Sequence, residues 1–369
     1  MAKIEELKGT AFLAFPEMKN LLVSELSERF GYDSKNGKWH GDLLYCPDFV
    51  PEKIAKPCDD DENYDDASEK ACETDSNKIN AANADDSRKK KDSENFLLPY
   101  WARTCMLNPV LIHFDSIGEA ASELKKIQRN WAPYQFQLFR RASLIQEKLP
   151  YINLKVRNFP CKIPNTPMGL YTLLDEKTMI ASSKTNSPLP AGKIEFVEDH
   201  ENPPSRAYLK IQESLTLFST FFGENLPCEE SKYFEAGACP GGWTWVLRQL
   251  GAEVFAVDRA ELAPSLMKDP KVKFLAHDAF TLKPDEVCSQ METEKLDFVF
   301  SDVICYPERL FEWIKMWIES KRTKNIICTI KMQGAVNWEL IGKFSAIPNS
   351  KIVHLNYNKH ELTILIHRI

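Results

Sequence analysis

After Pro204 the chain settles into a regular rhythm. Short apolar runs ("YFEAG", "EVFAVD", "VKFLAHD", "LDFVFSD", "NIICTIK", "KIVHLNYN" and "ELTILIHRI") alternate with helical stretches such as "WTWVLRQLG" and "PERLFEWIKMWIESK". This alternation predicts an α/β fold with a mostly parallel, doubly wound sheet. The last two runs are joined too tightly for a crossover helix and are expected to pair as an antiparallel hairpin. An amphipathic helix, "SRAYLKIQESLTLFSTFF", precedes the first run.

The first half follows no such rhythm. From Gly9 to Asp48 it reads strand, helix ("EMKNLLVSELSERFG"), strand ("DLLYCP"). Residues 58–95 are acidic at first, close on "RKKK" and carry almost no large apolar side chains. Such a segment cannot bury enough surface to offset its ordering entropy, so it reads as a flexible surface insert. Order is expected to resume at "FLLPYWARTCMLNPVLIHF", followed by helices over Ser116–Gln128 and from about Tyr134 to Leu149. The proline-rich stretch Pro160–Pro204 reads as short strands and turns, and "EFVEDHENPPSR" as a boundary. The expected organisation is an N-terminal α+β region (1–57 and 96–200), the insert (58–95) and a C-terminal domain (201–369).

The net charge of −6 argues against a nucleic-acid partner only until it is located. Between Cys58 and Glu94 thirteen acidic side chains face six basic ones, so the rest of the chain carries +1. Bulk charge therefore excludes little. The ten cysteines form no CxxC pair and the seven histidines do not cluster beside them, so a metal site is not expected. Several cysteines lie in apolar runs, where a thiol packs as a small hydrophobe. No run reaches the length of a membrane span. Together these point to a cytoplasmic protein.

The stretch "EAGACPGGWTW" joins the first apolar run to a helix. In doubly wound sheets ligands sit at the carboxyl ends of the strands. Glycines there let backbone approach a ligand, and a helix start offers free amides. Gly237, Cys239, Pro240, Gly241 and Gly242 are the candidate contacts. Asp258 ends the next run, where a carboxylate would grip the hydroxyls of a ribose; Asp278, in "HDAF", ends the third and would meet an adenine edge. This arrangement serves an adenosine ligand, either a dinucleotide or S-adenosyl-L-methionine. Two details disfavour the dinucleotide: the loop is not GxGxxG, and the sheet ends in a hairpin. Trp243 either packs beneath the loop or lines the ligand pocket.

The motifs "NPPSRAYLK", "GACPGGWTW", "VDRAELAPSLM", "FSDVICYP", "TIKM" and "HELTILIHRI" recur in the order found in the FtsJ-like RNA 2′-O-ribose methyltransferases. The block Pro203–Ile369 resembles that family, and within it the RlmM branch, which methylates a cytidine ribose of 23S ribosomal RNA. The first half resembles the branch more weakly, at "LPYWARTCMLNPVLIHF" and "SSKTNSPLPAGKIEF". The resemblance implies a Rossmann-like class I methyltransferase sheet, preceded by an RNA-recruiting ferredoxin-like piece and a shortened THUMP-like piece. It implies S-adenosyl-L-methionine as cofactor, contacted also by Asp302, and RNA as partner. It further implies a catalytic set of Lys210, Asp302, Lys331 and Glu361.

The pattern of strands supports a convergence of those four. Asp302 and Lys331 close neighbouring parallel strands, and Glu361 opens an antiparallel one, so all three reach the same sheet edge. Lys210, on the preceding helix, must reach across. A ribose hydroxyl is a weak acid and needs a base as the new bond forms. Lys331 is the expected base, with the carboxylates orienting the amines. Three alternatives stand beside this reading. The same chemistry could act on tRNA or another RNA. A non-catalytic assembly factor could retain the fold. A nicotinamide dehydrogenase would transfer hydride instead.

Two further stretches carry aromatic residues. "KKIQRNWAPYQFQLFRR", Lys125–Arg141, interleaves basic and aromatic residues as single-strand RNA binders do, yet also fits a helix with a buried aromatic face. Trp313 and Trp317, one helical turn apart, are expected in the core. Finally, "TIKMQGAVNWEL" lacks the proline and basic residues that usually follow the second catalytic lysine in the RlmM branch.

Overall fold

The computed structural model describes residues 3–53, 96–164, 166, 168–224, 226 and 229–368; the acidic insert 58–95 thus lies outside the described residues. The chain opens with β1 (Lys3–Glu6), β2 (Gly9–Ala14), α1 (Lys19–Phe30), β3 (Lys38–His40), β4 (Leu43–Pro47) and β5 (Ala102–Leu107). α1 stops at Gly31, whose left-handed backbone (φ 64°) returns its N–H to the carbonyls of Leu26 and Ser27. The last four of these strands pair antiparallel in the order β3-β4-β2-β5. With α1 between its first two strands, this is the strand order of a ferredoxin-like unit.

A second sheet, β1-β6-β9-β8-β7, adds β6 (Val110–His113), β7 (Trp131–Pro133), β8 (Gly169–Leu173) and β9 (Thr178–Ser182). It packs against α2 (Ile117–Ile127) and α3 (Phe139–Glu147). The helix expected over Ser116–Gln128 forms as α2, and Ser116 caps it, accepting the Glu119 N–H at 3.1 Å. The helix expected from Tyr134 starts only at Phe139. Trp131–Pro133 is instead a strand parallel to β8, at the sheet edge where Pro133 forfeits no ladder bond. Lys125–Arg141 is therefore no single helix: it runs from the end of α2 through β7 into α3. Trp131 and Tyr134 are buried, while Phe139 is exposed.

The C-terminal sheet has the order β12-β11-β10-β13-β14-β16-β15. Its strands are β10 (Lys232–Ala236), β11 (Glu253–Asp258), β12 (Val272–Ala276), β13 (Leu296–Ser301), β14 (Thr323–Lys331), β15 (Ser350–Val353) and β16 (Glu361–His367). The first five are parallel. The expected hairpin forms, but β16 slots between β14 and β15 and pairs antiparallel with both. A parallel run of five strands with an antiparallel insertion at one side is the Rossmann-like methyltransferase sheet. Between the strands lie α4 (Tyr208–Phe222), α5 (Gly242–Gln249), α6 (Pro264–Met267), α7 (Pro284–Gln290), α8 (Pro307–Ser320) and α9 (Trp338–Ser345).

Both faces of the sheet are covered, which explains the unbroken apolar runs. On β10, Tyr233 meets Phe298 and Phe300, while its neighbour Phe234 meets Trp317 of α8 on the other face. Trp313 and Trp317 are core residues, as expected. α4 is not the one-faced amphipathic helix its sequence suggests: eleven of its fifteen residues are buried. Ile163, Leu189, Ile194 and Phe196, from the proline-rich stretch, share its core and close over its second face. Cys46, Cys105 and Cys328 are buried free thiols within strands. Among the described residues, no helix is long and apolar enough to cross a membrane.

Residues 3–50 and 99–368 pack as one unit. The ferredoxin-like piece touches two loops of the C-terminal sheet. Phe15 and Trp101 stack on His354, and Trp101 also on His360. The Arg29 guanidinium lies over Trp338, whose indole N–H donates to Glu28 at 2.9 Å.

Candidate active site

Four chain segments bring their charged side chains to the carboxyl edge of the parallel strands. Lys331 is the last residue of β14 and pairs in register with Glu361, the first of β16. Asp302 follows β13 directly, its N–H donating to the Ala236 carbonyl at 3.3 Å. Lys210 lies in the first turn of α4. Lys331 Nζ stands 3.0 Å from Asp302 Oδ1, and Asp302 Oδ2 stands 3.6 Å from Lys210 Nζ. Lys210 closes the row with an ion pair to Glu361. The four expected catalytic residues thus form one chain of alternating charge, each side chain 10–18% exposed.

The chain of charge is asymmetric. Lys210 serves two carboxylates, Lys331 only Asp302. Burial works to lower the Lys210 ammonium, but Asp302 and Glu361 outweigh it and hold its pKa above the ordinary lysine value. Lys210 is therefore a fixed cation. Lys331 has one carboxylate partner, Asp302.

The glycine loop lies at the same edge. Gly237 has φ 79°, and a Cβ there would stand 2.6 Å from the Val303 side chain, one residue beyond Asp302. Bare backbone at Gly237 thus lets the ligand loop close onto the catalytic loop. Gly242 abuts the start of α4, where a Cβ would meet Ser205 Oγ at 2.5 Å. Gly241 is the N-cap of α5, Pro240 accepts from the Ala263 N–H at 3.0 Å, and the Cys239 thiol donates to the Glu261 carbonyl. Asp258, at the end of β11, accepts the Cys239 N–H at 3.0 Å and the Ala260 N–H at 3.2 Å. Each of its oxygens keeps a lone pair for a further donor, which suits a ribose diol.

Two expected ligand contacts stand differently. Trp243 is 3% exposed: its indole N–H donates to the Ala207 carbonyl at 3.0 Å and its ring meets Phe300 edge-on. It packs beneath the loop and does not line the surface above it. Asp278 lies two residues beyond β12 and caps a short turn, accepting from Phe280 N–H at 3.1 Å. Arg309 and Arg259 already hold its carboxylate at 3.1 and 3.2 Å. Burial opposes its charge, but these partners keep its pKa below the ordinary value. A ligand would share Asp278 with two guanidinium groups.

Sequence reasoning missed two residues. Glu235, on β10 beneath the glycine loop, is buried and accepts the Thr244 hydroxyl at 2.7 Å. Burial, against the help of Thr244 and with the added repulsion of Asp302 and Asp258, pushes its pKa up to about 8. It is a neutral acid at pH 7, tying strand to helix under the site. The signal was available: an acid inside the apolar run "YFEAG". Glu213, one turn after Lys210, accepts the Asn356 backbone and side-chain N–H groups at 3.0 and 2.7 Å. It pins the loop leading to Glu361 to the helix that carries Lys210. No local pattern announces that contact, which spans 143 positions.

Residues 203–333 match the family of FtsJ-like methyltransferases. The chain is 33% identical over 130 residues to the ribosomal RNA large subunit methyltransferase M of Histophilus somni (strain 2336), covering 35% of this chain and 34% of that one. To the protein of the same name from Halorhodospira halophila it is 34% identical over 131 residues, 36% of each chain. To that of Alkalilimnicola ehrlichii it is 28% identical over 173 residues, 45% of this chain and 46% of that one. The chain thus spans between a third and a half of the length of these curated relatives. Lys210, Asp302 and Lys331 fall inside the matched range; Glu361 lies beyond it and joins them through its register with Lys331.

Proposed function

We propose that this chain, whose residues 203–333 form an FtsJ-like methyltransferase domain, transfers a methyl group from S-adenosyl-L-methionine to a ribose 2′-hydroxyl of RNA, with a cytidine of 23S ribosomal RNA as target. One observation carries the reading: the row Lys331–Asp302–Lys210–Glu361 at the carboxyl edge of the sheet, beside the glycine loop. The names of the curated relatives supply the ribosomal substrate.

Gly237–Gly242 and Asp258 fit the cofactor by their chemistry: glycine backbone without side chains leading into a helix start, and a carboxylate with lone pairs to spare beside it. The cofactor, when bound, supplies an electrophilic methyl on a positive sulfur. What remains for the protein is to place the hydroxyl and remove its proton. Asp302 orients the Lys331 amine. Lys331, once neutral, accepts the hydroxyl proton at Nζ. The Lys210 ammonium, locked by Glu361, stabilises the negative charge growing on the oxygen. Asp302 then holds the newly formed Lys331 ammonium.

The N-terminal α+β half is the RNA-recruiting region in this proposal. A cleft of about 750 Å³ between α3 and the segment Tyr151–Glu195 supports that role, since Tyr151, Lys155, Arg157 and Lys193 line it. Tyr151 is 80% exposed, and of the three cations Lys193 is paired, with Glu195 at 2.6 Å. Aromatic faces beside cations suit single-stranded RNA. Such a substrate, together with the buried reduced thiols, fits the cytoplasm.

The test is direct. The full chain is incubated with labelled S-adenosyl-L-methionine and, separately, protein-free 23S ribosomal RNA or tRNA, and the RNA is digested to nucleosides. Label in a 2′-O-methylcytidine from 23S RNA is the expected result. Label only from tRNA changes the substrate, and no label in either sinks the proposal.

A further inference from the structure

We infer that Ile304 and Tyr306 form the seat for the base of the target nucleotide, with the Tyr306 ring as its stacking platform. The inference deepens the proposed RNA methylation and rests on it.

The four residues after Asp302, "VICY", connect β13 to α8. They alternate between anchored and bare. Val303 is wedged against Gly237, and Cys305 is 8% exposed, within electrostatic range of Lys331, Arg309 and Asp278. The loop thus spans from the catalytic amine to the expected adenine end of the cofactor site. Ile304 and Tyr306 turn outward, 79% and 66% exposed. They are large apolar side chains left bare within four residues of a buried ion cluster. Their backbone is nonetheless firmly held. Tyr306 is the N-cap of α8, its carbonyl accepting from Arg309 and Leu310, with Pro307 fixing the first helical residue. A ring on a fixed backbone loses little freedom when it meets a ligand.

The charge pattern selects the part of the nucleotide that would bind there. Neither Val303–Tyr306 nor the other rim loop, Met332–Asn337, contains a lysine or arginine. Phosphates would find no partner on these two loops. A base offers a flat π face to an aromatic ring whatever its identity. With the ribose hydroxyl at Lys331, the base is the one apolar surface of the nucleotide that can cover Ile304 and Tyr306.

The experiment compares the full-length wild type with Tyr306→Ala, Tyr306→Phe and Ile304→Ser on protein-free 23S ribosomal RNA. Both side chains are exposed, so the fold should be retained. Tyr306→Ala is expected to raise KM for RNA roughly ten- to a hundredfold, the effect of losing one stacked base. Tyr306→Phe should recover most of that loss, and Ile304→Ser should fall between. Affinity for S-adenosyl-L-methionine, read by calorimetry, should be the same in all four. An active wild type whose KM is unmoved in Tyr306→Ala overturns the seat and leaves the methyltransferase reading standing. An unmoved KM with loss of self-association in gel filtration assigns the patch to a protein contact instead. A wild type inert on RNA removes both the reading and the seat.

Discussion

At the scale of single residues, Lys331 and Lys210 look alike in the sequence and differ in their surroundings. One has a single carboxylate partner, the other two. In the proposed mechanism one is the base and the other the fixed cation, and substitution can separate them. Lys331→Arg keeps a cation against Asp302 but cannot give up its proton at any working pH. It is expected to lower kcat by at least about a hundredfold, as loss of a general base does. Its affinity for S-adenosyl-L-methionine, measured by calorimetry, should change little. A Lys331→Arg protein with near wild-type kcat would remove Lys331 from that role. Glu235 gives a second prediction, through pH. Its carboxyl titrates near 8 in the folded chain and at the ordinary 4.5 when unfolded. The folded state therefore binds more protons between those values. Its contribution to stability is full below about pH 4.5 and is lost as pH rises through about 8. Glu235→Gln keeps the shape and a partner for Thr244 without the ionisation. Between about pH 5 and 8 the stability of the wild type should decline with rising pH relative to that of the variant, read as the difference between their melting temperatures.

At the scale of elements, what was legible in the sequence depended on whether one element's own residues carry the signal. The five inner strands of the C-terminal sheet were readable because both their faces are buried, leaving continuous apolar runs. The family resemblance supplied all four site residues, and strand direction supported the meeting of Asp302, Lys331 and Glu361 at one edge. Lys210 rested on the resemblance alone, since a lysine on a helix has no such marker. The start of the helix expected from Tyr134 was misread because Leu138, the N-cap of α3, has a left-handed backbone (φ 52°) that bars the helix from running back to Tyr134, and no side-chain pattern marks that position. α4 was misread on one face because the segments covering it come from up to about sixty residues earlier. That helix has a consequence for the site. It carries Lys210 toward Asp302 while Glu213, one turn on, holds the Asn356–Tyr357 loop ahead of β16. Glu213→Ala would leave those N–H groups without their acceptor, at about 1–3 kcal/mol for each one left buried and unsatisfied. The expected outcome is a lower melting temperature together with reduced kcat, since Glu361 would lose its fixed approach. Activity unchanged at a temperature where the variant is fully folded would uncouple the helix from the catalytic hairpin.

At the scale of the whole molecule, the N-terminal half does two separable things in this proposal: it braces the catalytic loops and it gathers RNA. The brace is visible in Trp101 against His354 and His360, and in Arg29 against Trp338. These contacts lie on the loops that follow Lys331 and precede Glu361. RNA gathering is assigned to the cleft with Tyr151, Lys155 and Arg157, which belong to neither the brace nor the catalytic row. The two roles predict different failures. Replacing both Lys155 and Arg157 by alanine should weaken RNA binding without altering kcat at saturating RNA. Each cation that neutralises a phosphate contributes about one unit to the slope of log K against log salt. The double variant should therefore lose up to about two units of slope in a filter-binding titration against 23S ribosomal RNA. Replacing Trp101 by alanine should do the reverse: it should lower kcat through a loosened hairpin while the salt slope stays at its wild-type value. If the Lys155/Arg157 double variant binds RNA with unchanged affinity and slope, the cleft is not where RNA is gathered. If Trp101→Ala leaves kcat intact, the two halves are neighbours in the fold and independent in function.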